Sequence, residues 1–228
     1  MKTLGMIGGT SWHATVEYYK SINKIVGEAH DNMESPPLII YSINIEVMRA
    51  GDKDRIKKTY LEVSQKLEAA GAEAIVICAN TPHLVCETVQ PQIGVPFLHI
   101  ARATGDEAKR KGMKKLGLLG TLPTMKGDFI SGLLKREYGI EVLVPQGNAF
   151  QTAHDFISKE LTRGIFSEKA EKFYTEQIDV FADNGADGVI LGCTELPILF
   201  RDIKTALPLL STTDLHAEMA ANFVLGNS

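Results

Sequence analysis

The sequence predicts an α/β protein of two similar Rossmann- or flavodoxin-like domains, each a parallel sheet covered by helices. Short apolar runs rich in β-branched residues alternate with amphipathic segments along the chain. Two of these runs, 74–83 and 186–197, share a layout: each follows a helical segment that closes on Gly-Ala and ends in polar residues beside a proline. The opening pattern of strand, glycine and hydroxyl residue recurs at 115–124. The predicted domains are 1–99 with 208–228, and 100–207.

The composition limits the classes of partner. Of the 228 residues, 44% are hydrophobic and 23% charged, as in an ordinary globular protein. The net charge of −4 offers no basic surface for nucleic acid. No apolar run approaches the roughly 20 residues that span a bilayer, and the first residues lack the pattern of a signal peptide. Three cysteines outside any paired framework fit a reducing compartment, so we expect a cytoplasmic protein.

The first half alternates regularly between strands and helices. Strand 2–7 leads through a Gly-Gly turn into helix 12–26, whose apolar positions recur at helical spacing. Strand 38–45 follows a Pro-Pro loop, and helix 55–70 follows a polar segment. Strand 95–100 comes after the first of the two focal runs. Because helices separate the strands, the sheet should be parallel, with ligands bound beyond the carboxyl ends of its strands.

The second half repeats this alternation and ends in a closing helix. The pattern predicts strands at 115–119, 141–144 and 208–211 and helices at 104–111, 125–137, 150–161, 167–184 and 214–225.

Polar residues at the predicted strand ends are candidates for holding a small carboxylate. Asn80 and Thr81 stand where a helix begins, and hydroxyl or amide side chains beside free helix N–H groups suit an anion. Thr121 and Thr124 occupy the matching place in the second half. Ordinary helix capping explains the same residues without a ligand, so both interpretations stay open.

Cys193 is the candidate acid/base. It follows the second focal strand beside Thr194, at a helix N-terminus that should lower its thiol pKa from the usual value of about 8.5. A thiol so placed can take a proton from a carbon or return one, whereas an inert buried cysteine is the plain alternative. Arg49 could grip a second carboxylate or be a solvated surface cation. No Cys-x-x-Cys or His-x-x-x-His spacing indicates a metal, and nothing indicates an organic cofactor.

Four short motifs together resemble the aspartate/glutamate/hydantoin racemase superfamily, in particular its aspartate-racemase-like amino-acid racemases. The motifs are Ile-Gly-Gly-Thr-Ser-Trp at 7–12, Asn-Thr-Pro-His at 80–83, Leu-Gly-Thr at 119–121 with Thr124, and Leu-Gly-Cys-Thr-Glu at 191–195. Each alone is weak, but their order and spacing over nearly the whole chain are specific.

The resemblance implies a racemase that needs neither pyridoxal phosphate nor a metal, with its active site in a cleft between the two domains and a homodimer as its assembly. In this family two cysteines exchange the α-proton of an amino acid from opposite sides. The resemblance also implies a set of substrate contacts, namely Thr10, Asn80, Thr81, Thr121, Thr124 and Thr194, with Arg49 in the region that supplies a cation in some aspartate-type members.

The sequence departs from the family at the first catalytic cysteine, where Ala79 stands immediately before Asn-Thr. Cys78 is one residue early, and strand alternation should turn it into the core. A displaced Cys78, water or Thr81 could supply the second proton. We therefore hypothesise an amino-acid racemase with Cys193 and Thr81 as catalytic residues. The alternatives are a single-cysteine decarboxylase or isomerase of a small dicarboxylate, and an inactive metabolite-binding homologue.

Overall fold

The structure, a computed structural model, describes residues 1–227. The chain divides into two compact units: Met1–Ile100 with the segment from Thr213 onward, and Ala101–Thr212. The sequence assigned 208–228 to the first domain, but the strand at Leu209–Ser211 pairs within the second sheet and the first unit resumes only with the closing helix.

Each unit contains one four-stranded parallel sheet. The first sheet has the order β2-β1-β3-β4 and the second β6-β5-β7-β8, so the two have the same topology. This confirms the predicted α/β class and the predicted repeat. The strands are β1 (Leu4–Gly8), β2 (Leu38–Ser42), β3 (Ala74–Ile77), β4 (Phe97–Leu98), β5 (Lys115–Gly120), β6 (Glu141–Leu143), β7 (Gly188–Gly192) and β8 (Leu209–Ser211).

Helices connect successive strands, as parallel pairing requires. They are α1 (Trp12–Ala29), α2 (Glu46–Arg49), α3 (Lys53–Ala69), α4 (Cys86–Val89), α5 (Ile100–Arg110), α6 (Leu122–Lys126), α7 (Asp128–Leu133), α8 (Asn148–Lys159), α9 (Glu168–Asp183), α10 (Leu196–Leu199) and α11 (Thr212–Leu225). Short 3₁₀ turns lie at Thr81–Val85, Gln90–Gln92 and Leu161–Arg163, and a π turn at Leu134–Tyr138. No helix within residues 1–227 is both long and apolar enough to cross a membrane.

Helices cover both faces of the first sheet, which is why its central strands are apolar throughout. All residues of β1 and β3 are buried. One face packs against α1 and α11, and the other packs against α3. The closing helix α11 thus completes the core of the first unit, with four buried residues in that cluster.

Two local predictions need correction. The helix expected at 125–137 is broken into α6, α7 and the π turn, with Gly127 in extended conformation between the two helices. The strand expected at 38–45 ends at Ser42, and the polar segment after it contains the short helix α2. The periodicity of apolar residues predicted neither break, because the apolar spacing continues across each of them.

Candidate functional site

The second sheet brings two of the predicted residues to one edge. Gly120 of β5 pairs with Gly192 of β7, and these are the last residues of both strands. Thr121 and Cys193 therefore leave the sheet side by side. Thr124 is 1% exposed and packs over the glycine pair, since a Cβ on either glycine would meet its methyl group at 3.0–3.1 Å. The hydroxyl groups of Thr121 and Thr124 lie 3.2 Å apart.

Helix capping does not account for Thr121. It occupies the N-cap position of α6, but its side chain accepts no hydrogen bond from the helix backbone. The N–H of Leu122 is instead bound by Nδ1 of His154, at 3.3 Å. The Thr121 hydroxyl is thus positioned at the strand end without serving the helix.

Cys193 belongs to a compact hydrogen-bonded group with the two residues that follow it. Its thiol donates to Oε2 of Glu195 at 2.9 Å. The Thr194 hydroxyl donates to the same oxygen at 2.7 Å. All three residues are partly exposed, unlike the buried strand before them. Cys193 is therefore partly exposed as a residue, and its thiol contacts a carboxylate that can take its proton.

The expectation of a lowered thiol pKa at Cys193 was wrong. Enclosure of the thiol raises the pKa of Cys193 well above its ordinary value, and the charge of Glu195 and the hydrogen bond to it raise the pKa further. Backbone hydrogen bonds at Thr194 and Glu195 act in the opposite direction but do not prevail. The following helix α10 has four residues, so its dipole is small compared with an adjacent anion.

The first sheet has a corresponding edge. Ile7 of β1 pairs with Ile77 of β3, so the turns after these two strands emerge beside each other. The Thr10 hydroxyl lies 2.7 Å from the hydroxyl of Tyr60, which is fully buried on α3. Ser11 rather than Thr10 caps α1. Thr10 is therefore held by a side chain and not used as a helix cap.

Gly9 allows this first turn to form. Its φ is +88°, and a Cβ at this position would lie 2.0 Å from the carbonyl oxygen of Ile43. Only glycine fits such a position, because both the backbone conformation and the space exclude a side chain. The Gly-Gly turn thus brings two backbone segments together just before Thr10.

The turn after β3 exposes Ala79 and buries its neighbours. Cys78 is 1% exposed and lies in the core cluster with α1 and α11 residues, as strand alternation predicted. Burial raises the pKa of its thiol. Ala79 is partly exposed, whereas Asn80 is 7% exposed. The thiol of Cys78 is therefore buried in the core, whereas Ala79 is partly exposed.

Asn80 carries an unsatisfied polar atom. Its Oδ1 is buried and has no hydrogen-bond partner within residues 1–227. Its side chain does not cap the 3₁₀ turn that begins at Thr81. Buried amide oxygens are nearly always bonded, so this atom calls for an explanation. Capping, the plain alternative for Asn80, is not the explanation.

Arg49 is not joined to these groups by any hydrogen bond or ion pair in the part of the chain that the structure describes. It ends α2 and is exposed. Its neighbour in sequence Glu46 instead pairs with Arg55, at 2.6 Å. Arg49 therefore lies at the surface, as the alternative of a solvated cation predicts.

Sequence reasoning missed three residues that support the candidate residues. Glu195 binds the thiol of Cys193, Tyr60 binds Thr10, and His83 binds the backbone carbonyls of Ala79 and Asn80. Glu195 and His83 lie within the motifs at 191–195 and 80–83, but the sequence predicted no functional role for either residue. Tyr60 lies within the predicted helix 55–70, and nothing in the local sequence distinguished it from a core tyrosine.

Comparison with known proteins identifies the class to which this fold and these strand-end groups belong. Residues 7–220 match the family Asp/Glu/Hydantoin racemase. The chain belongs to this family, whose characterised relatives are isomerases. It is 25% identical over 228 residues to the broad specificity amino-acid racemase RacX of Bacillus subtilis, covering 97% of this chain and 98% of that protein.

Two solved structures are similar over their whole length. A candidate Asp/Glu racemase from Yersinia pestis is 37% identical with a TM-score of 0.94, covering 99% of this chain and 100% of that one. An aspartate racemase homologue from Pyrococcus horikoshii is 35% identical with a TM-score of 0.87 and the same coverage. The family assignment thus holds for both units of the chain.

Proposed function

We propose that the protein is a cofactor-independent racemase of small amino acids, favouring aspartate or glutamate, in which Cys193 exchanges the α-proton. The observation that carries the proposal is the hydrogen bond from the Cys193 thiol to Glu195 at the end of β7. A thiol that is hydrogen-bonded to a carboxylate can give it a proton, and the thiolate so formed can act as a general base.

In the proposed reaction Glu195 accepts the proton of the Cys193 thiol, and the thiolate then removes the α-proton of the substrate. The electron pair of the broken C–H bond moves toward the α-carboxylate and forms an enediolate. Hydroxyl donors of Thr81 and Thr121 stabilise the added negative charge. Thr194 joins them when its hydroxyl turns from the protonated Glu195 to the substrate, and Thr10 and Thr124 complete the polar lining. If the Cys193 thiol returns its proton to the carbon, the starting enantiomer is regenerated and the thiolate recovers its proton from Glu195. If the carbon is protonated from the opposite side, the other enantiomer forms, Cys193 keeps the α-proton as its thiol proton, and the proton on Glu195 passes through solvent to the donor on the opposite side.

Asn80 supports an amino acid as the substrate. Its buried Oδ1 needs a hydrogen-bond donor, and a substrate ammonium group supplies one. A malonate-type dicarboxylate offers only acceptors when ionised and would leave this atom unpaired. In the proposal, Asn80 accordingly binds the amino group through Oδ1, and Nδ2 remains available for the carboxylate. Arg49 binds the side-chain carboxylate of acidic substrates.

In this proposal, the proton that is added to the opposite face of the α-carbon comes from a group other than cysteine. Cys78 is buried in the core, which argues against a displaced thiol. We assign this step to Thr81 or to a water molecule that its hydroxyl holds beside Ala79. An alcohol is a weaker acid than a thiol, so inversion should be slower than removal of the α-proton by Cys193.

Ala79 also favours a second candidate function, that of a decarboxylase that protonates one face of an enediolate. The observation behind it is that the first unit presents a methyl group, Ala79, where the resemblance expects a thiol. Release of carbon dioxide from malonate-type acids, without exchange of amino-acid α-protons, would establish this alternative.

Proton NMR in deuterium oxide tests the proposal directly. L- and D-aspartate and L- and D-glutamate are incubated separately with the protein. We expect loss of the α-proton signal and slow appearance of the opposite enantiomer, and both effects should disappear in Cys193→Ser. Exchange in that variant at the wild-type rate would reject Cys193, and no exchange of any of the four substrates would reject an aspartate or glutamate racemase.

The homodimer and the cytoplasmic location belong to the same proposal. Trp12, Val16 and Tyr19 form an exposed apolar stripe along α1, 39–63% exposed, and β2 is an edge strand. A second copy of the chain is the partner that the family resemblance implies for such a surface. Light scattering of the protein and of Tyr19→Lys tests it: a dimer that becomes a monomer supports this surface, and a monomeric wild type refutes the homodimer.

A further inference from the structure

A buried histidine lies behind the turn that carries the predicted binding residues. Nδ1 of His83 is 2.9 Å from the carbonyl oxygen of Ala79 and 3.1 Å from that of Asn80. The main-chain N–H of His83 also donates to Asn80, at 3.1 Å. One residue thus binds both carbonyl groups of the segment that leads into Thr81.

Two residues beside His83 give the turn no N-cap restraint. Pro82 has no N–H to donate, and the side chain of Asn80 makes no capping bond. Before the 3₁₀ turn, the Cys78 N–H donates to the carbonyl of Ile7 at 3.0 Å and the Ala79 N–H donates to that of Ile77 at 2.8 Å. His83 adds a side-chain restraint on the carbonyl groups of the turn, whereas an N-cap residue would bind its N–H groups.

The tautomer of His83 follows from its partners. Carbonyl oxygens only accept, so Nδ1 must carry the proton. Burial lowers the pKa of His83 to about 4, which leaves the ring neutral with no proton on Nε2. Nε2 is buried and has no hydrogen-bond partner within residues 1–227. The fold tolerates this unsatisfied atom while holding Nδ1 beneath the turn.

Two more buried histidines fix the ring. His99 and His216 pack edge-on against it, with ring centroids at 4.8 and 5.2 Å. His216 is itself held: its Nε2 donates to the carbonyl of Leu98 at 2.6 Å, and its Nδ1 accepts from the Tyr18 hydroxyl at 2.8 Å. Helices α1 and α11 thereby restrict the orientation of His83.

We propose that His83 is a positioning residue, whose neutral Nδ1–H form fixes the Ala79–Asn80–Thr81 turn and so directs the side chains of Asn80 and Thr81 toward the substrate. The residue does not touch the reacting atoms in this account. The inference rests on the proposed function, because it assigns His83 to the same site.

A pair of variants of similar size tests the assignment. His83→Asn keeps an N–H donor near the position of Nδ1, whereas His83→Leu removes it. We expect kcat/KM for α-proton exchange to fall about 10- to 100-fold in His83→Leu, because small misplacements of binding groups are that costly. In His83→Asn it should stay within roughly threefold of the wild type, with the pH profile of kcat unchanged in both.

Tyr18→Phe is the matched control. It deletes a buried hydrogen bond in the same core but leaves the bonds between His83 and the turn. Because that bond holds His216 against His83, we expect a lower melting temperature and a loss of exchange activity clearly smaller than in His83→Leu. Equal losses of activity in His83→Leu, His83→Asn and Tyr18→Phe would reduce His83 to a general core residue, and a displaced pH profile would make it an acid/base instead.

A measurement without substrate separates this inference from the proposed function. In long-range ¹⁵N–¹H NMR spectra at neutral pH, His83 should show the Nδ1–H tautomer. The backbone amide signals of Ala79 and Thr81 should shift in His83→Leu and return in His83→Asn. An Nε2–H tautomer, or unmoved amides in His83→Leu, would overturn the inference even if the wild type racemises. A protein inactive on all amino acids that passes this test would refute only the proposed function.

Discussion

At the scale of single residues, the reactivity of Cys193 is governed by the carboxylate beside it. Glu195 raises the pKa of the thiol through its charge and its hydrogen bond, yet it is also the group placed to accept the proton. A carboxylate that disfavours the thiolate through its charge can still serve as the base, because that charge is lost when the carboxylate takes the thiol proton. The resting form is therefore the thiol.

Glu195→Gln separates these two roles. Removing the charge should lower the pKa of Cys193 and so accelerate its alkylation by iodoacetamide at pH 7, because the thiolate is the nucleophile. Exchange of the α-proton should fall by about 100-fold, since the base is lost. In the native wild type, alkylation should reach Cys193 alone, because Cys78 and Cys86 are 1% and 4% exposed. A slower alkylation in Glu195→Gln would contradict this account.

Ala79 offers the complementary experiment, in which a group is added. Its partly exposed position at the end of β3 is where the family resemblance expects a thiol. Ala79→Cys should raise the rate of inversion by about tenfold or more, because a thiol is a better proton donor than water or Thr81. Cys78→Ala is the control and should leave the rates unchanged. If Cys78→Ala abolished inversion while folding normally, the displaced thiol would be the second acid after all.

The candidate site was only partly readable from these residues. Strand alternation sufficed to place Cys78 in the core, because side-chain direction in a strand depends only on position. The pKa of Cys193 was not predictable, since it depends on the side-chain rotamer of Glu195 and on the length of α10. That Oδ1 of Asn80 lacks a hydrogen-bond partner was likewise not predictable, because it depends on the positions of all the groups around it.

At the scale of elements, long periodic segments were predicted well and short ones were not. The expected helix at 12–26 corresponds to α1 (Trp12–Ala29), whose buried residues recur at helical spacing. The parallel pairing in both sheets followed from the alternation of strands and helices, whereas the strand order did not. Helix α2, with four residues, escaped prediction because one turn shows no periodicity. Such short elements lie next to the strand ends, where the candidate binding residues also lie.

The turn between β1 and α1 gives a prediction for one such element. Gly9→Ala must adopt φ near +88° and also place a Cβ 2.0 Å from the Ile43 carbonyl oxygen, so backbone has to move. Gly71→Ala is the matched control, with φ +97° but no atom within 4 Å. Denaturant unfolding should show a loss of about 1–2 kcal/mol for Gly71→Ala, the cost of the left-handed conformation, and a clearly larger loss for Gly9→Ala. Equal losses would mean that the turn has room for a side chain.

At the scale of the whole molecule, the buried histidines make stability depend on pH. Burial lowers the pKa of His83 to about 4 and that of His216 well below its ordinary value, with His83 lowering the latter further. His99, Tyr18 and Cys78 are also buried in the first unit. In the unfolded chain both histidines regain a pKa of about 6.5, so below that pH the unfolded state binds more protons than the folded state.

The sign of the effect is therefore loss of stability as the pH falls from about 6.5 to about 4, with His83 alone contributing up to about 3 kcal/mol. Above pH 6.5 its contribution is fully present. Chemical denaturation at pH 7 and pH 4.5 measures the difference in the free energy of unfolding. His83→Asn should reduce this difference, because asparagine does not titrate and the contribution of His83 is lost. His13→Gln, at an exposed position, should leave the difference unchanged. An equal pH dependence in wild type and His83→Asn would mean that the pKa of His83 is not lowered in the folded protein.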